Sequence, residues 1–204
     1  NGKEFNIRSN YYHKPVMSLN WDYKISQKSK LNTVAYASFG RGAGTSNAGS
    51  SNGKSLSAFQ PVGGLIDFDA IVASNAASTP DKGILIRNAS VNSHNWFGVI
   101  SNFNHKINDN LNFSIGVDGR YYYGFHYQVV NDLLGGTAYR DSGNRNLWTP
   151  NASNVLTPGY NYVSTTSKST PNFNPFGGKI NDIEERINFS NDGEVRYYGA
   201  FGQL

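Results

Sequence analysis

Four histidines, five clustered carboxylates and one glycine-rich string are the residues of this chain whose types and spacing could do chemistry. His13, His94, His105 and His126 could ligate a metal, but none stands at helical i,i+4 spacing with a second ligand type, so no zinc pattern forms. Asp182, Glu184, Glu185, Asp192 and Glu194 offer oxygen ligands for calcium. The EF-hand order fails for want of its terminal glutamate, and a solvated loop is expected. Ala48-Gly-Ser-Ser-Asn-Gly53-Lys54-Ser55 matches the spacing of a phosphate-binding loop. That chemistry needs a buried strand before the loop and a helix after it. Here a polar Gly/Ser run precedes, Pro61 soon follows, and a flexible loop is expected. Neither a nucleophile elbow nor a convincing acid/base pair occurs, so no enzyme is expected and no cofactor is implied.

The elements that would position such residues announce themselves in Leu111 to Tyr127. Its odd positions read Leu, Phe, Ile, Val, Gly, Tyr, Tyr, Phe, Tyr, and its even ones Asn, Ser, Gly, Asp, Arg, Tyr, Gly, His. A β-strand sends successive side chains to opposite faces, so one face is apolar and aromatic and the other polar. Strands of soluble domains run about 5–6 residues, and this one is roughly three times longer. It suits a strand that crosses a membrane in a barrel, with lipid on one side and water on the other. From Leu111 to Tyr121 the strand rises roughly 33 Å, or roughly 24 Å when tilted by about 45°, close to the apolar band of such barrels. Tyr121 and Tyr123 then sit at the outer interface, where aromatic girdles occur.

Composition agrees. Only 38% of the 204 residues are hydrophobic, with 13 Tyr, 12 Phe and 3 Trp, and 16% are charged. Mean hydropathy is negative. Disorder goes with high charge and few aromatics, which excludes it for most of the chain. The absence of cysteine excludes a disulfide framework. The net charge of +4 is scattered, with no basic helix or stripe, so no nucleic-acid partner is expected. The densest group, Lys24, Lys28 and Lys30, flanks a turn and is expected to meet phosphate headgroups. No run approaches the roughly 20 apolar residues of a membrane helix, as a barrel predicts.

Tight hairpins alternate with long connections. Strands are predicted at about 14–25, 31–41, 95–105, 111–127 and 195–204, with turns at Ser26–Lys30 and Lys106–Asn110. Two long loops fill about 42–94 and 128–194. Short turns on one side and long loops on the other are the asymmetry of outer-membrane barrels, whose long loops face outward. Within the first loop, Arg41–Lys54 reads as mobile. Asp67–Ala77 reads as a short helix with Asp67 as N-cap and Phe68, Ile71 and Val72 on one side. The second loop carries Trp148, Pro150, Pro158, Tyr160, Tyr162, Pro171, Phe173, Pro175 and Phe176, and is expected to pack on the barrel mouth or a partner.

Several strings resemble the barrels of TonB-dependent receptors of the Bacteroidetes type. They are Thr33-Val-Ala-Tyr-Ala-Ser-Phe-Gly-Arg-Gly42, Ile66-Asp-Phe-Asp-Ala-Ile-Val72, Asn95-Trp-Phe-Gly-Val-Ile-Ser-Asn-Phe103 and Val129-Val-Asn-Asp-Leu-Leu-Gly-Gly136. Asp118-Gly-Arg-Tyr121 and Arg196-Tyr-Tyr-Gly-Ala-Phe-Gly202 are similar to strand ends of that family. The resemblance implies a 22-stranded bacterial outer-membrane barrel around a plug. It implies TonB-coupled uptake of a siderophore, glycan, peptide or cofactor and, in the SusC-like branch, a surface lipoprotein lid. No plug or TonB box is visible, and about five strands fall short of the eight that close the smallest barrels. With its start at Asn1 and its last strand cut in mid-course, the chain is expected to be an interior fragment.

The fold class expected is therefore all-β, a segment of a large antiparallel transmembrane barrel with two extracellular loops. Its partners would be outer-membrane lipid, the rest of the barrel and plug, and TonB through the parent protein. Asp118, Arg120, Tyr122 and His126 are the expected lumen-facing residues, with an ion-pair network across the lumen around Asp118 and Arg120. His126 is expected to bond a neighbour. Trp148, Tyr160 and Tyr162 are the expected ligand or lid contacts. The rival readings are a secreted or surface β-rich carbohydrate-binding protein and a barrel serving as a structural or secretion-complex component.

Overall fold

The computed structural model describes residues 5–168 and 174–204. Pro171 and Phe173 of the second loop lie outside these. One antiparallel sheet dominates, built from β1 (Asn10–His13), β2 (Val16–Lys24), β3 (Ser29–Gly49), β4 (Leu85–Asn108) and β5 (Leu111–Asp132). Four short strands follow: β6 (Tyr139–Asp141), β7 (Thr149–Pro150), β8 (Leu156–Thr157) and β9 (Asn161–Val163). β10 (Arg186–Gln203) returns to the large sheet. The order across that sheet is β1/β2–β3–β4–β5–β10, with β1 and β2 end to end along one edge of β3. Pro15, which lacks an N–H for the ladder, lies in the gap between them.

The hairpin turns are short and locally specified. Ser26 Oγ accepts the Lys28 and Ser29 N–H groups between β2 and β3. Asn108 Oδ1 accepts the Asn110 N–H between β4 and β5. Each is a side chain standing in for a backbone acceptor. The strands run further than periodicity predicts, so the connections shrink to residues 50–84 and 133–185. Arg41–Gly49 is therefore paired strand rather than mobile loop. Its Gly, Ala, Ser and Asn content carries little hydrophobic signal, yet its backbone pairs residue for residue with β4, from Ala43↔Val91 to Gly49↔Leu85.

The two ends of the sheet bury differently. Around the short turns both faces are bare, and every residue of β2 is exposed. Toward the loops the sheet is covered on both sides. Ile7, Phe59, Ile71, Leu85 and Leu134 form one cluster, and Ala43, Ala89, Tyr127 and Val129 another, both on the face of the odd β4 positions. Ile84, Ile86, Val130, Val163 and Ile187 form the third, on the opposite face.

The helix α1 (Phe68–Ala76) starts as expected, Asp67 accepting the Ala70 N–H at 2.9 Å. Ile71 is fully buried, while Val72 stays part-exposed beside Gly135. Asn75, one turn on, is buried and locks the helix to the sheet. Its Nδ2 donates to Leu85 O (2.7 Å) and Leu134 O (2.9 Å), and its Oδ1 accepts the Leu85 N–H (3.0 Å). Leu134, held at φ 46°, is a leucine in left-handed backbone that this bond helps to retain.

Asn75→Ala leaves the Leu85 N–H and two carbonyls buried without partners, an expected loss of about 2–4 kcal/mol. Hydrogen exchange should show α1 and the first residues of β4 opening together, with the β4–β5 turn region unchanged.

Candidate functional site

Register decides which side chains share a face. In the half of the sheet near the turns, Leu31, Phe103 and Ile115 form one row with Tyr23, and Ala37, Phe97 and Tyr121 form another with Met17. These two rows and the two between them carry one charged side chain, Arg196. Thr33 and Ser101, the aliphatic hydroxyls within them, bond each other at 2.8 Å. Leu19 (70% exposed), Trp21, Val99 and Val117 (56%) stand uncovered there. β10 departs from the pattern. Glu194 and Arg196 form an ion pair on this face beside Tyr123 and Tyr121, whereas Val195, Tyr197 and Phe201 turn to the other.

The opposite face is polar. Asn32 bonds Asp22 and accepts from Asn104, and Ser114 bonds Asn102 at 2.8 Å. Lys24 and Lys30 are direct partners on this polar face.

Asp118, Arg120, Tyr122 and His126 do share this face. Arg120 reaches Asp118 two residues back at 2.6 Å, and its guanidinium lies 5.3 Å from the Tyr197 ring. Tyr122 belongs to an aromatic group that sequence reasoning missed. His94 stacks on it at 5.7 Å, Trp96 meets it edge-on at 6.4 Å, and Tyr36 meets Trp96 at 5.9 Å. His94 is buried, with Ser38 Oγ 3.2 Å from its Nε2, and Lys14 caps the Trp96 ring at 5.5 Å. The signal was parity counted from Leu85. A strand begun at Asn95 places His94 at a loop end.

Glycines make room for these rings. Gly40 is the register partner of His94, Gly98 of Tyr36, Gly42 of Tyr12 and Gly116 of Phe201. In all four a Cβ on the glycine would run into the partner's ring. The aromatics therefore lie down over the neighbouring strand, the cross-strand cover of a glycine by an aromatic.

Trp148, Tyr160 and Tyr162 do not join this group; they tie the loops together. Trp148 Nε1 donates to Ser142 O at 2.9 Å. Arg140 lies 3.5 Å over the Tyr160 ring. Tyr162 donates to Asp81 of the first loop at 2.6 Å, a bond that holds its phenol above the ordinary value. His126, expected to bond a neighbour, is half-buried on the polar face beside Gly124.

The phosphate-loop match dissolves on geometry. Ser51 pairs with Lys54 across Asn52 (φ 48°) and Gly53 (φ 79°), a two-residue hairpin turn, and a 3₁₀ turn (Leu56–Phe59) follows in place of a helix. The acidic cluster disperses as well. Asp182 and Glu185 form a capping box, Arg186 pairs with Asp192 at 3.1 Å, and Glu194 pairs with Arg196. Among the described residues no group of three or more His, Asp or Glu side chains is placed to hold a metal.

Partial burial pushes the Glu185 carboxyl up, but bonds from Asn181, Lys179 and the Asp182 N–H outweigh it and hold the group below the ordinary carboxylate range. A depressed carboxylate stabilises the fold above its unfolded value, and that contribution goes as pH falls through the folded one.

Comparison of the chain with protein-family models, with curated proteins and with solved structures returns no match.

Two outcomes follow from this geometry. Acidification below the ordinary carboxylate range should loosen the segment from Lys179 to Arg186, read by hydrogen exchange, and Glu185→Gln should flatten that response. Gly98→Val should force Tyr36 off the sheet at a cost of about 1–3 kcal/mol. The same change at Gly193, where a Cβ meets nothing, should cost far less.

Proposed function

We propose that this sheet is part of the wall of a bacterial outer-membrane β-barrel that imports a nutrient by a TonB-coupled cycle. The carrying observation is the uncovered apolar face. It runs unbroken across four rows of long in-register strands, with its two aliphatic hydroxyls paired to each other and its one charge at the row nearest the loops. Water gives no reason to leave such a surface bare, and lipid does. On this reading Leu19, Trp21, Val99 and Val117 face acyl chains. Tyr121, Tyr123 and the Glu194–Arg196 pair mark the outer interface. The polar face, with Asp118, Arg120, Tyr122, Trp96 and His94, looks into the lumen.

The covered half then rises above the membrane, where loop 50–84 and loop 133–185 build a core of their own. The wall excludes lipid and lines the path, while plug rearrangement and TonB contact belong to the parent protein. The substrate is a siderophore, glycan, peptide or cofactor. A surface lipoprotein lid over the loop end fits the SusC-like resemblance.

Val117→Arg tests the orientation. In a bilayer it should cost about 2–4 kcal/mol in folding measured by urea titration in liposomes. A water-facing Val117 would make the change near neutral, and a folded monomer soluble without detergent would overturn the membrane reading. Uptake by cells with and without TonB separates a transporter from a structural or secretion-complex barrel.

A further inference from the structure

Above the aromatic group, on the same polar face, lies a hollow of about 500 Å³. Its floor is backbone: Gly42 and Gly44 of β3 carry no side chain into it, and a Cβ on Gly44 would find nothing nearer than Asn10 Oδ1 at 3.8 Å. One wall is Tyr12, whose ring lies over Gly42 and stays 55% exposed. Facing it is Phe189, set beside Asn188 (φ 58°) where the β5–β10 register shifts between Ile187 and Ser190. The bulge puts an aromatic where regular pairing would have kept the ladder closed.

The polar groups of the hollow divide sharply. Toward the loops, Asn88, Ser90, Gln128 and Asn188 are bonded to one another, at 2.7–3.0 Å. Asn10, Asn92 and His126, which line the hollow itself, take part in no such network. They bring two amides and an imidazole, groups that can both donate and accept. Among the described residues, no Lys, Arg, Asp or Glu lines the space.

The geometry points to a binding subsite for a neutral saccharide ring. A pyranose has an apolar C–H face that lies on an aromatic ring and a rim of hydroxyls that each donate and accept. Tyr12 and Phe189 supply rings, and Asn10, Asn92 and His126 supply partners for the rim. A chelated ferric ligand or an acidic peptide would be desolvated here without a countercharge, which is costly. The inference names a substrate class within the transport reading, and it rests on that reading for the route by which sugar reaches this face.

The test is calorimetric titration of the intact protein carrying this chain, purified in detergent, with neutral gluco-, manno-, xylo- and N-acetylglucosamine oligosaccharides. Oligogalacturonate and a neutral tripeptide serve as comparison ligands. At least one neutral oligosaccharide should bind. Tyr12→Ala should weaken it roughly tenfold, about 1.4 kcal/mol. Gly44→Val, which fills the floor with a residue suited to a strand, should abolish it. If Gly44→Val also lowers thermal stability, Asn92→Ala at an exposed position must show the loss instead. No neutral saccharide binding, or binding indifferent to these changes, overturns the subsite. Tighter binding of oligogalacturonate or the peptide overturns the ligand class. If the protein proves soluble without detergent, the membrane reading falls, and the same titration in buffer still decides the subsite.

Discussion

Residue-for-residue backbone pairing between β3 and β4 is the constraint on which the rest of the structure depends. It keeps one phase from Ser29↔His105 to Gly49↔Leu85. A slip of one residue would exchange the two faces of a strand along its whole length. It would turn Val99 toward the polar side and send His94 and Trp96 to the other. Because the phase holds, Gly40 falls opposite His94, Gly98 opposite Tyr36, and Thr33 meets Ser101. Among the described residues, bulges occur only where the pairing meets the loops or the turn, between Arg87 and Asn88, Lys106 and Asn108, and Ile187 and Ser190.

That single sheet meets two different demands along its length. Beside the loops it behaves as the middle layer of a small sandwich, with apolar clusters on both faces and polar knots at the joints. Asn75 is one knot. Asp141 is another, accepting the Gly143, Asn144 and Asn188 N–H groups, while Asn144 donates to Ile183 O and Arg186 O. Buried Asn75, Asp141 and Asn144 are tolerable there because each is bonded. Among the described residues no layer covers the sheet beside the turns, and its order there comes from ladder hydrogen bonds and cross-strand side-chain pairs.

The polar face shows how glycine serves the site. At Gly40 and Gly98 a missing side chain admits a ring from the next strand, giving the aromatic group its low profile. At Gly44 no ring comes across, and the vacancy stays open as part of a hollow. The same small residues that blur the sequence pattern of β3 therefore shape the surface available to a ligand.

Alternation in Leu111–Tyr127, the turn residues around Asn108 and Ser26, and the Asp67 cap are local properties, so the all-β class, the hairpins, α1 and the shared face of Asp118, Arg120, Tyr122 and His126 were legible in the sequence alone. Each depends on backbone periodicity or on a side chain bonding its own neighbourhood. What tertiary structure decided was everything needing a partner distant in sequence. The Gly/Ser/Asn stretch of β3 is a strand only because β4 pairs with it. Tyr12, Tyr36, His94 and Trp96 converge with Tyr122 only through register, and Tyr160 and Tyr162 were claimed by Arg140 and Asp81. Composition records that aromatics and glycines are plentiful; only the pairing of strands says which glycine lies under which ring.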